Sequence, residues 1–435
     1  MLPGMAARAP ITWLDGLFTA TSAICVTGLV VRSTGNDFTL LGQAVILAMI
    51  QIGGLGFMTL SSSVLMHLRR RITLDQFAVF RASVGLPEGE QLPALMRRCF
   101  RIVFVVEAVG VMLLFPRFNM AMPPDETLLA YAPKALWQAV FHSVSAFCNA
   151  GFSIWDRSLI AYRFDPYVNV VMGGLIVLGG LGFFVLTDLE AWLRARRAQR
   201  KHKLLFQSRV VLLTSLLLIL VGALLLYCGE RMNPQTLGNL SVTRQWQIPF
   251  FQSITARTAG FNTVEMAKLS SFSVFITMLL MFVGASPGSC GGGVKTTTFA
   301  VFATMAIGSL ARDEEPSFQR RSFGPRTVTS AIALVAVAGT LVLASALFLA
   351  LVELPGTSLE RTGSTFVELL FETVSAFGTV GLSTGITPTL SAAGQLCLIV
   401  LMFLGRVGPL GLVSASLRGG ADPAVKFPSE DVQIG

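Results

Sequence analysis

Seven apolar stretches constrain this chain more than any other feature, because each is long enough to cross about 30 Å of hydrocarbon as a helix. They lie at about residues 40–66, 99–115, 168–190, 209–228, 273–307, 326–352 and 394–417. Only 13% of the 435 residues are charged, whereas a soluble domain carries about 25%. Too few polar side chains remain to cover a globule in water, so most of the surface must face lipid. The sequence therefore predicts an all-α polytopic membrane protein.

Four shorter, half-polar segments lie between these stretches, at about residues 13–24, 136–147, 246–256 and 366–377. None is long enough to cross the hydrocarbon, and each runs directly into a glycine-bearing motif. A segment that enters the membrane without crossing it is tolerated only where protein or water satisfies its main chain. We therefore expect four re-entrant pore helices.

One motif recurs four times, about every 120 residues, and indicates an internal repeat. Each copy has Phe, then Ser/Thr-Ala, then Gly, and the third copy is one residue shorter before its glycine. We predict four parallel pseudo-repeats of outer helix, pore helix, filter loop and inner helix around one central pore. Their predicted bounds are 1–81, 82–205, 206–322 and 323–417, followed by a cytosolic tail at 418–435. Because about ten residues precede the first pore helix, we expect the first repeat to be truncated and to lack its outer helix.

Basic residues are unevenly placed and predict the orientation of the chain. Twenty of the 33 Lys and Arg residues lie after the predicted inner helices, at 67–101, 193–209, 310–326 and from 417 onward. By the positive-inside rule these segments face the cytoplasm and the filter mouths face outward. All four runs fall on the same side, which favours parallel over inverted repeats. We interpret the run LRARRAQRKHK as a membrane anchor rather than as a lipid- or RNA-binding patch.

The glycines of the motif suit a carbonyl-lined path for a cation. Glycine reaches backbone angles closed to other residues, so a carbonyl oxygen can point inward with no side chain in the way. Each predicted pore helix ends just before its glycine, where the negative end of the helix dipole favours a cation. Close helix packing is the alternative for any single glycine, and we keep it for IGGLGF and LGGLGF inside the spans. The predicted filter residues are Val26, Thr27, Gly28, Asn149, Ala150, Gly151, Thr258, Ala259, Gly260, Thr379, Val380 and Gly381.

Six motifs together resemble the Trk/Ktr/HKT superfamily of potassium transporters: TATSAICVTGLVV, SAFCNAGF, TARTAGFNT, GTVGLSTG, GASPGSCGGGVKTTTF and GRVGPLGL. The resemblance runs from about residue 9 to the end, and the ending KFPSEDVQIG is more similar to the KtrB branch than to the TrkH branch. It implies K⁺ uptake through a filter centred on the four glycines. Glycine in all four copies is similar to the K⁺-selective members, whereas a serine in the first copy accompanies Na⁺ transport in HKT relatives. Similar KtrB proteins also imply Na⁺ as an activator.

A glycine-rich interruption, GASPGSCGGGVK, lies at 284–295 in the third inner helix. Each glycine costs a helix about 1 kcal/mol and proline costs about 3 kcal/mol, so we predict a break in mid-membrane. By resemblance this is the loop that gates conduction beneath the filter; a hinge with no gating role is the alternative. Cys290 stands where the family pattern leads us to expect a small polar residue. The predicted gating residues are Gly284, Ser286, Pro287, Gly288, Ser289, Gly291, Gly292, Gly293 and Lys295.

Two cations lie inside apolar spans, where a buried charge costs about 2.5 to 3.5 kcal/mol on insertion scales. Arg406 matches an arginine that the resemblance places below the filter as an electrostatic pore barrier. Burial in a salt bridge with Glu107 or Asp188 is the alternative. Lys295 lies beside the predicted gate and is long enough to reach the inner face. Arg257, in TARTAGF, is expected to brace the filter from behind, because a guanidinium can bind several carbonyls.

The spacing of cysteines and histidines predicts neither a metal site nor an enzyme. The six cysteines stand far apart, no CxxC or HExxH motif occurs, and we interpret them as small packing residues. We expect no covalently bound cofactor and no metal beyond the transported K⁺. Titratable groups in the spans are scattered among the repeats, which argues against a membrane enzyme.

Partners follow from the resemblance. Because the chain has no GxGxxG or P-loop, nucleotide regulation must come from another subunit. The resemblance implies a homodimer in the bacterial plasma membrane and a KtrA-like cytosolic RCK subunit that binds ATP/ADP or NAD, with no nucleic acid as partner. The inward basic loops and the tail are the expected docking surface. A TrkH-like or Na⁺-conducting relative and a truncated, non-conducting paralogue are the alternatives.

Overall fold

Helices form nearly all of the regular structure. The computed structural model describes Ala6 and residues 10–68, 92–201, 203–311, 317–319, 321–356 and 359–408. Within these ranges lie thirteen α-helices, three short 3₁₀ turns and one hairpin of two-residue strands, β1 (Ser317–Phe318) and β2 (Arg321–Ser322). The expectation of a mostly helical chain is confirmed. The predicted tail at 418–435 and the predicted boundary after residue 81 lie outside the described residues.

The helices occur in the order that the apolar pattern predicts. They are α1 (Trp13–Ile24), α2 (Leu40–Leu68), α3 (Leu92–Asn119), α4 (Leu128–Phe147), α5 (Pro166–Leu181), α6 (Phe183–Arg197), α7 (Phe206–Glu230), α8 (Val242–Thr255), α9 (Ser271–Phe282), α10 (Thr296–Ala311), α11 (Pro325–Glu353), α12 (Leu359–Gly378) and α13 (Ala392–Val407). The predicted pore helices are α1, α4, α8 and α12. The predicted outer helices are α3, α7 and α11, and the remaining helices occupy the predicted inner positions.

Three of these helices, α3, α7 and α11, are long and apolar enough to cross a membrane among the described residues. A fourth span is counted if α5 and α6 are taken together, but they meet at an angle of 104°. The expectation of a continuous helix over 168–190 is therefore wrong. Gly182 has a φ of 91° between the two helices, and the Phe183 N–H donates to the carbonyl oxygen of Gly288 at 2.9 Å instead of to its own helix.

The predicted pore helices begin with polar caps that also fix the chain around them. Thr12 Oγ1 accepts from the Asp15 N–H at 3.1 Å, and Asp15 Oδ2 accepts from the Thr12 N–H at 3.0 Å, which closes a capping box at the start of α1. The same carboxylate pairs with Arg32 Nη2 at 3.0 Å. At α4 the Thr127 hydroxyl accepts from the N–H of Ala130. The helix therefore starts at Leu128, eight residues before the apolar pattern begins at 136.

Each outer helix packs against the pore helix that follows it: α3 on α4, α7 on α8 and α11 on α12. The first pore helix, α1, packs mainly on α2 and α13 among the described elements. An open apolar groove of about 500 Å³ lies along α1 and α2, lined by Leu17, Phe38, Ile46 and Met49 among others. Trp13, at the start of α1, is 76% exposed beside it.

The core surrounds the pore helices. The phenylalanines that open the four motifs, Phe18, Phe141, Phe251 and Phe371, are each at most 2% exposed. Each lies one helical turn before the Ser or Thr of its motif, so both side chains fall on the same face of the helix. Burial of an aromatic ring is the dominant apolar contribution to packing at such a site. The equal spacing in the four motifs thus places a buried phenylalanine ring behind each glycine.

Candidate functional site

The four predicted filter segments share one backbone path. Each pore helix ends three to five residues before its glycine, and a residue with positive φ follows: Val26 (55°), Asn149 (57°), Thr258 (71°) and Thr379 (50°). Two residues later comes the glycine, also with positive φ: Gly28 (96°), Gly151 (70°), Gly260 (78°) and Gly381 (87°). Non-glycine residues seldom adopt a positive φ, because it costs about 1 to 3 kcal/mol and persists only where the surrounding structure holds it. The same strained turn therefore occurs four times.

These four glycines form a closed ring, called the glycine ring below. A methyl group built on Gly28 would lie 2.5 Å from the carbonyl oxygen of Ala150, and one on Gly151 would lie 2.9 Å from that of Ala259. One on Gly260 would lie 2.2 Å from the oxygen of Val380, and one on Gly381 would lie 2.1 Å from that of Thr27. The contacts run from the first segment through the second, third and fourth and back to the first. Main chain thus meets main chain around one axis, with no room for a side chain between neighbours.

The ring is held from behind by the Ser of the motif in three of the segments. The N–H of Gly28 donates to Ser22 Oγ at 3.0 Å, and the N–H of Gly381 donates to Ser375 Oγ at 3.1 Å. In the second segment Ser145 Oγ donates to the carbonyl oxygen of Phe152 at 2.8 Å. The first two bonds fix the direction of the glycine N–H, and the third fixes the carbonyl of the residue that follows Gly151.

The third segment departs from this pattern, as its shorter spacing predicts. The carbonyl oxygen of Thr255 accepts from the N–H groups of Ala259 and Gly260, at 2.9 and 3.3 Å. The Thr255 hydroxyl has no hydrogen-bond partner among the described residues. The four segments are therefore arranged with approximate rather than exact fourfold symmetry.

A second row of buried polar side chains, which the sequence analysis missed, lies three residues before each Ser or Thr. His142 Nε2 contacts Ser153 Oγ at 3.0 Å, and Gln252 Nε2 donates to Thr263 Oγ1 at 3.3 Å. Both partners follow the ring glycine of their own segment, so each bond ties the pore helix to the returning chain. A polar residue at the same offset in every copy, three positions before the Ser or Thr of the motif, was the available signal.

Glu372 makes the most hydrogen bonds of the side chains in this row. It is fully buried. Its Oε1 accepts from Ser383 Oγ at 2.7 Å and from the Thr384 N–H at 3.0 Å, and its Oε2 accepts from Thr387 Oγ1 at 2.7 Å. In the first copy the corresponding Thr19 hydroxyl is buried without a partner among the described residues. The hydrogen bonds that tie a pore helix to the chain after its glycine are thus most numerous in the fourth segment.

The interruption predicted at 284–295 forms a non-helical crossing between α9 and α10, called the loop 283–295 below. Its main chain bonds to two other helices: the Ser286 N–H donates to the Gly180 oxygen of α5 at 3.0 Å, and the Gly293 N–H donates to the Gly405 oxygen of α13 at 3.3 Å. Irregular backbone at membrane depth requires such partners. The loop is therefore fixed between α5 and α13 rather than hanging free.

The loop 283–295 also touches the predicted filter directly. The Gly292 N–H donates to Thr379 Oγ1 at 2.8 Å, and a methyl group on Gly291 would lie 2.2 Å from Thr258 Oγ1. Within the loop, Lys295 Nζ donates to the Gly291 oxygen at 2.8 Å. The structure thus brings residues of the predicted gate and of the predicted filter into contact.

Arg406 lies on α13 and reaches two carbonyl oxygens. Its guanidinium donates to Cys290 in the loop 283–295 and to Gly53 on α2. Neither of the acids considered from the sequence pairs with it among the described residues: Glu107 accepts from Gln51 Nε2 at 3.2 Å, and Asp188 accepts from the chain around residue 205. The arginine therefore joins the loop to the first inner helix.

Arg257 does not brace the filter, contrary to expectation. Its guanidinium points away from the ring toward α7, where Nη1 donates to the Ser215 carbonyl oxygen and Nη2 to the Ser215 hydroxyl, each at 3.2 Å. It fastens α8 to its outer helix instead.

The glycines of IGGLGF and LGGLGF occupy close contacts between inner and pore helices. A methyl group on Gly53 would lie 2.1 Å from the Ile24 carbonyl oxygen, and one on Gly179 would lie 1.7 Å from that of Phe147. Gly405 has the same relation to Phe377, at 2.0 Å. Each contact presses an inner helix on the last turn of a pore helix.

Comparison with known proteins places this architecture in a family. A family model described as TrkH, a cation transport protein, matches residues 2–417. The chain belongs to this cation transport family. The family consists of transport proteins, so the expectation that the chain is not an enzyme is confirmed.

Individual relatives show which transport proteins in this family are similar to the chain. The Ktr system potassium uptake protein B of Vibrio alginolyticus is 38% identical over 97% of this chain and 88% of the relative. The protein of the same name from Bacillus subtilis is 34% identical over 100% of this chain and 92% of the relative. The crystal structure of the potassium transporter TrkH from Vibrio parahaemolyticus matches 93% of this chain and 78% of that chain with a TM-score of 0.67. At 19% identity, that likeness shows a shared fold.

Proposed function

We propose that this protein takes up K⁺ across the bacterial plasma membrane through the glycine ring. The observation that carries the proposal is the cyclic contact of four main-chain turns, each with its glycine against a carbonyl oxygen of the next turn. Rings of carbonyl oxygens replace the water around a cation. The C-terminal ends of four helices converge behind the ring and favour positive charge. Two relatives that are at least 34% identical and are named potassium uptake proteins support K⁺ as the ion.

The loop 283–295 is the proposed gate of this path. Its N–H at Gly292 bonds the Thr379 side chain of the proposed filter, and Arg406 ties its Cys290 carbonyl to α2. Few of its bonds are those of a regular helix, so the loop can leave its position without unfolding α9 or α10. Opening then requires release of Arg406 and of the Thr379 contact, and a bound guanidinium adds an electrostatic barrier to a passing cation.

Orientation, assembly and regulation complete the proposal. The basic segments, which hold 20 of the 33 Lys and Arg residues, face the cytoplasm, and the ring faces outward. The relatives are described as parts of a Ktr system, which supports a partner subunit. We propose a homodimer regulated by a cytosolic nucleotide-binding subunit of the RCK type, with Na⁺ as an activator.

Na⁺ conduction is the second candidate, and one relative favours it. The potassium/sodium uptake protein NtpJ of Enterococcus hirae is 33% identical over 97% of this chain. Both ions are monovalent and spherical, so the size of the ring and the number of its carbonyls decide between them. Glycine in all four segments favours K⁺.

The test is ion flux into proteoliposomes that contain the full chain, measured with K⁺ and with Na⁺ separately. Gly28→Ser places a side chain where a methyl group would already lie 2.5 Å from the Ala150 oxygen. We expect this variant to lose preference for K⁺ over Na⁺. Gly174→Ser is the matched control, because Gly174 has no atom within 4 Å of its methyl position.

The control variant should keep the wild-type ion preference. Wild-type flux that favours Na⁺ would support the second candidate. Flux that is absent with both ions, with and without a cytosolic regulatory subunit, would contradict the transport proposal. An unchanged ion preference in Gly28→Ser would contradict the assignment of the filter to the glycine ring.

A further inference from the structure

The helix α6 starts at a contact with the loop 283–295. Gly182, the residue before it, has a φ of 91°, and the first N–H of the helix, that of Phe183, donates to the Gly288 carbonyl oxygen at 2.9 Å. A methyl group on Gly182 would lie 2.5 Å from the carbonyl oxygen of Pro287. Because main chain meets main chain at this bend, a change in the direction of α6 acts directly on the loop.

The end of α5 holds the same loop from the other side of the bend. The Gly180 oxygen accepts from the Ser286 N–H at 3.0 Å, and the Gly179 oxygen accepts from the Cys290 N–H at 3.3 Å. Together with the bond at the start of α6, three main-chain bonds join the loop to the junction of α5 and α6. The position of the loop therefore depends on the geometry of that junction.

Two further contacts place α6 at a boundary of the hydrocarbon. The apolar span of α3 starts one residue before Arg98, and that of α7 starts one residue after Leu205. Arg98 Nε pairs with Glu190 Oε2 at 2.7 Å, and the Leu205 N–H donates to Asp188 Oδ2 at 2.9 Å. Both acids belong to α6, so α6 lies level with the starts of two spans. Its angle of 104° to α5 lets it run along this boundary instead of across the membrane.

The second half of α6 and the residues after it carry many cations, called the basic run 194–203 below. The basic side chains that the structure describes there are all exposed: Arg194, Arg196, Arg197, Arg200, Lys201 and Lys203. No Asp or Glu occurs in the sequence between Glu190 and Glu230. Arg194 pairs with Glu190, but within the described part of the chain Arg197 and Arg200 have no acid at ion-pair distance. This surface therefore has an excess of positive charge.

Apolar side chains beside the basic run 194–203 suit the level of lipid headgroups. Leu193 is 44% exposed, and Trp192 is half-buried with the Arg196 guanidinium 5.4 Å from the centre of its ring. Trp is enriched where membrane meets water, and helices that lie in that plane combine cationic with apolar side chains. The first six residues of α6 are buried in protein, so its second half is the part that can meet lipid.

We propose that the basic run 194–203 binds anionic phospholipid headgroups of the inner leaflet, and that lipid bound there holds the loop 283–295 against the proposed filter. Charge identifies the partner, because clusters of Lys and Arg at the cytoplasmic end of a membrane helix attract anionic lipids over about a Debye length. Bound lipid fixes the direction of α6, and the bonds at the junction pass that constraint to the loop. The second part of this inference rests on the proposed function, since it takes the loop as the gate.

Binding is tested with the purified full chain in mixed micelles, with phosphatidylglycerol and phosphatidylcholine as the two probes. Native mass spectrometry gives the affinity for each lipid, and we expect tighter binding of phosphatidylglycerol. One Lys or Arg near an anionic surface contributes about fivefold in affinity. R197Q should therefore weaken phosphatidylglycerol binding about fivefold, and R196Q/R197Q/R200Q should weaken it about 100-fold. The affinity for phosphatidylcholine should not change.

Two controls separate charge from local structure. R196K/R197K/R200K keeps all three charges and should bind phosphatidylglycerol as the wild type does. R231Q removes an exposed arginine at the opposite end of α7 and should leave the affinity unchanged. Equal affinity for the two lipids, equal effects of R197Q and R231Q, or displacement of phosphatidylglycerol by a short RNA or by inorganic phosphate would overturn the lipid site.

Flux is measured separately, in phosphatidylcholine vesicles with and without phosphatidylglycerol. Phosphatidylglycerol should lower K⁺ flux several-fold through the wild type and through R196K/R197K/R200K, but not through R196Q/R197Q/R200Q. Comparing variants in the same vesicles makes the surface charge of the lipid act equally on all of them. Selective lipid binding with the same flux response in all three proteins would uphold the surface and overturn its link to the loop. Absence of flux in every vesicle would count against the proposed function and leave the binding result standing.

Discussion

Replacing Gly381 by alanine tests whether contact around the glycine ring, rather than backbone freedom alone, requires glycine. Gly381 has a φ of +87° and would place its methyl group 2.1 Å from the Thr27 oxygen. Gly385, four residues on, has a φ of +101° and no atom within 4 Å of its methyl position. The two substitutions therefore share the backbone cost and differ in the steric cost.

The expected magnitudes follow from these two terms. An L-residue held in the left-handed region costs about 1 to 2 kcal/mol, which applies to Gly385→Ala and Gly381→Ala alike. Forcing an extra methyl into a packed site costs about 1 to 3 kcal/mol more, which applies to Gly381→Ala alone. We expect a loss of stability of about 2 to 5 kcal/mol for Gly381→Ala and of about 1 to 2 kcal/mol for Gly385→Ala.

Two measurements check this prediction: denaturant unfolding in mixed micelles, and the ratio of K⁺ to Na⁺ flux in proteoliposomes. Gly381→Ala must displace the Thr27 peptide, so the K⁺ preference should fall by about tenfold for each 1.4 kcal/mol of lost discrimination. Gly385→Ala should retain the wild-type ratio. Equal destabilisation by the two variants, or a wild-type flux ratio in Gly381→Ala, would refute the reasoning.

Three further substitutions test other contacts of the site. Glu372→Ala should destabilise the protein by about 2 to 4 kcal/mol because it leaves buried hydroxyl and N–H donors unpaired. Glu353→Ala frees only the exposed donors of the α13 cap, so it should change the unfolding free energy by about 1 kcal/mol or less. Similar values for both variants would contradict a stabilising role of the buried Glu372 carboxylate. Arg406→Gln should raise K⁺ flux several-fold, because it removes a charge, the bond to Cys290 in the loop and the bond to Gly53 on α2. Reduced or unaltered flux would argue against the barrier. Gly179→Ala should prevent folding to a monodisperse protein in size-exclusion chromatography, because its methyl group would lie 1.7 Å from the Phe147 oxygen. Gly180→Ala, whose methyl group would have its nearest contact at 3.4 Å, should elute as the wild type does. Identical elution profiles for the two variants would contradict the close contact at Gly179.

Much of the fold follows from local chemistry. The glycines and proline of 284–295 end α9 and delay α10 because they cannot sustain a helix, and the structure breaks the chain there. The bend at Gly182 was not predicted. Its cause is a bond between the Phe183 N–H and the Gly288 oxygen of the loop 283–295, and LGGLGF by itself is compatible with a continuous apolar helix.

The roles of the buried charged side chains were the least predictable part of the site. Arg257 and Arg406 each lie close to a motif glycine in sequence, yet one turns outward to Ser215 and the other joins Cys290 to Gly53. A long guanidinium can reach in several directions, so its partner depends on which carbonyls the packing brings near. No pattern along the chain records that choice.

The residues alone thus determined that this chain is helical, apolar enough for a membrane and punctuated by four similar glycine turns, because helix propensity and hydrophobicity act over a few neighbouring positions. Only the tertiary structure decided that those turns touch in a ring, that the loop 283–295 rests on Thr379 and that Arg406 joins Cys290 to Gly53. Such contacts join positions on different helices, and their distances depend on how whole helices pack, which no local preference specifies.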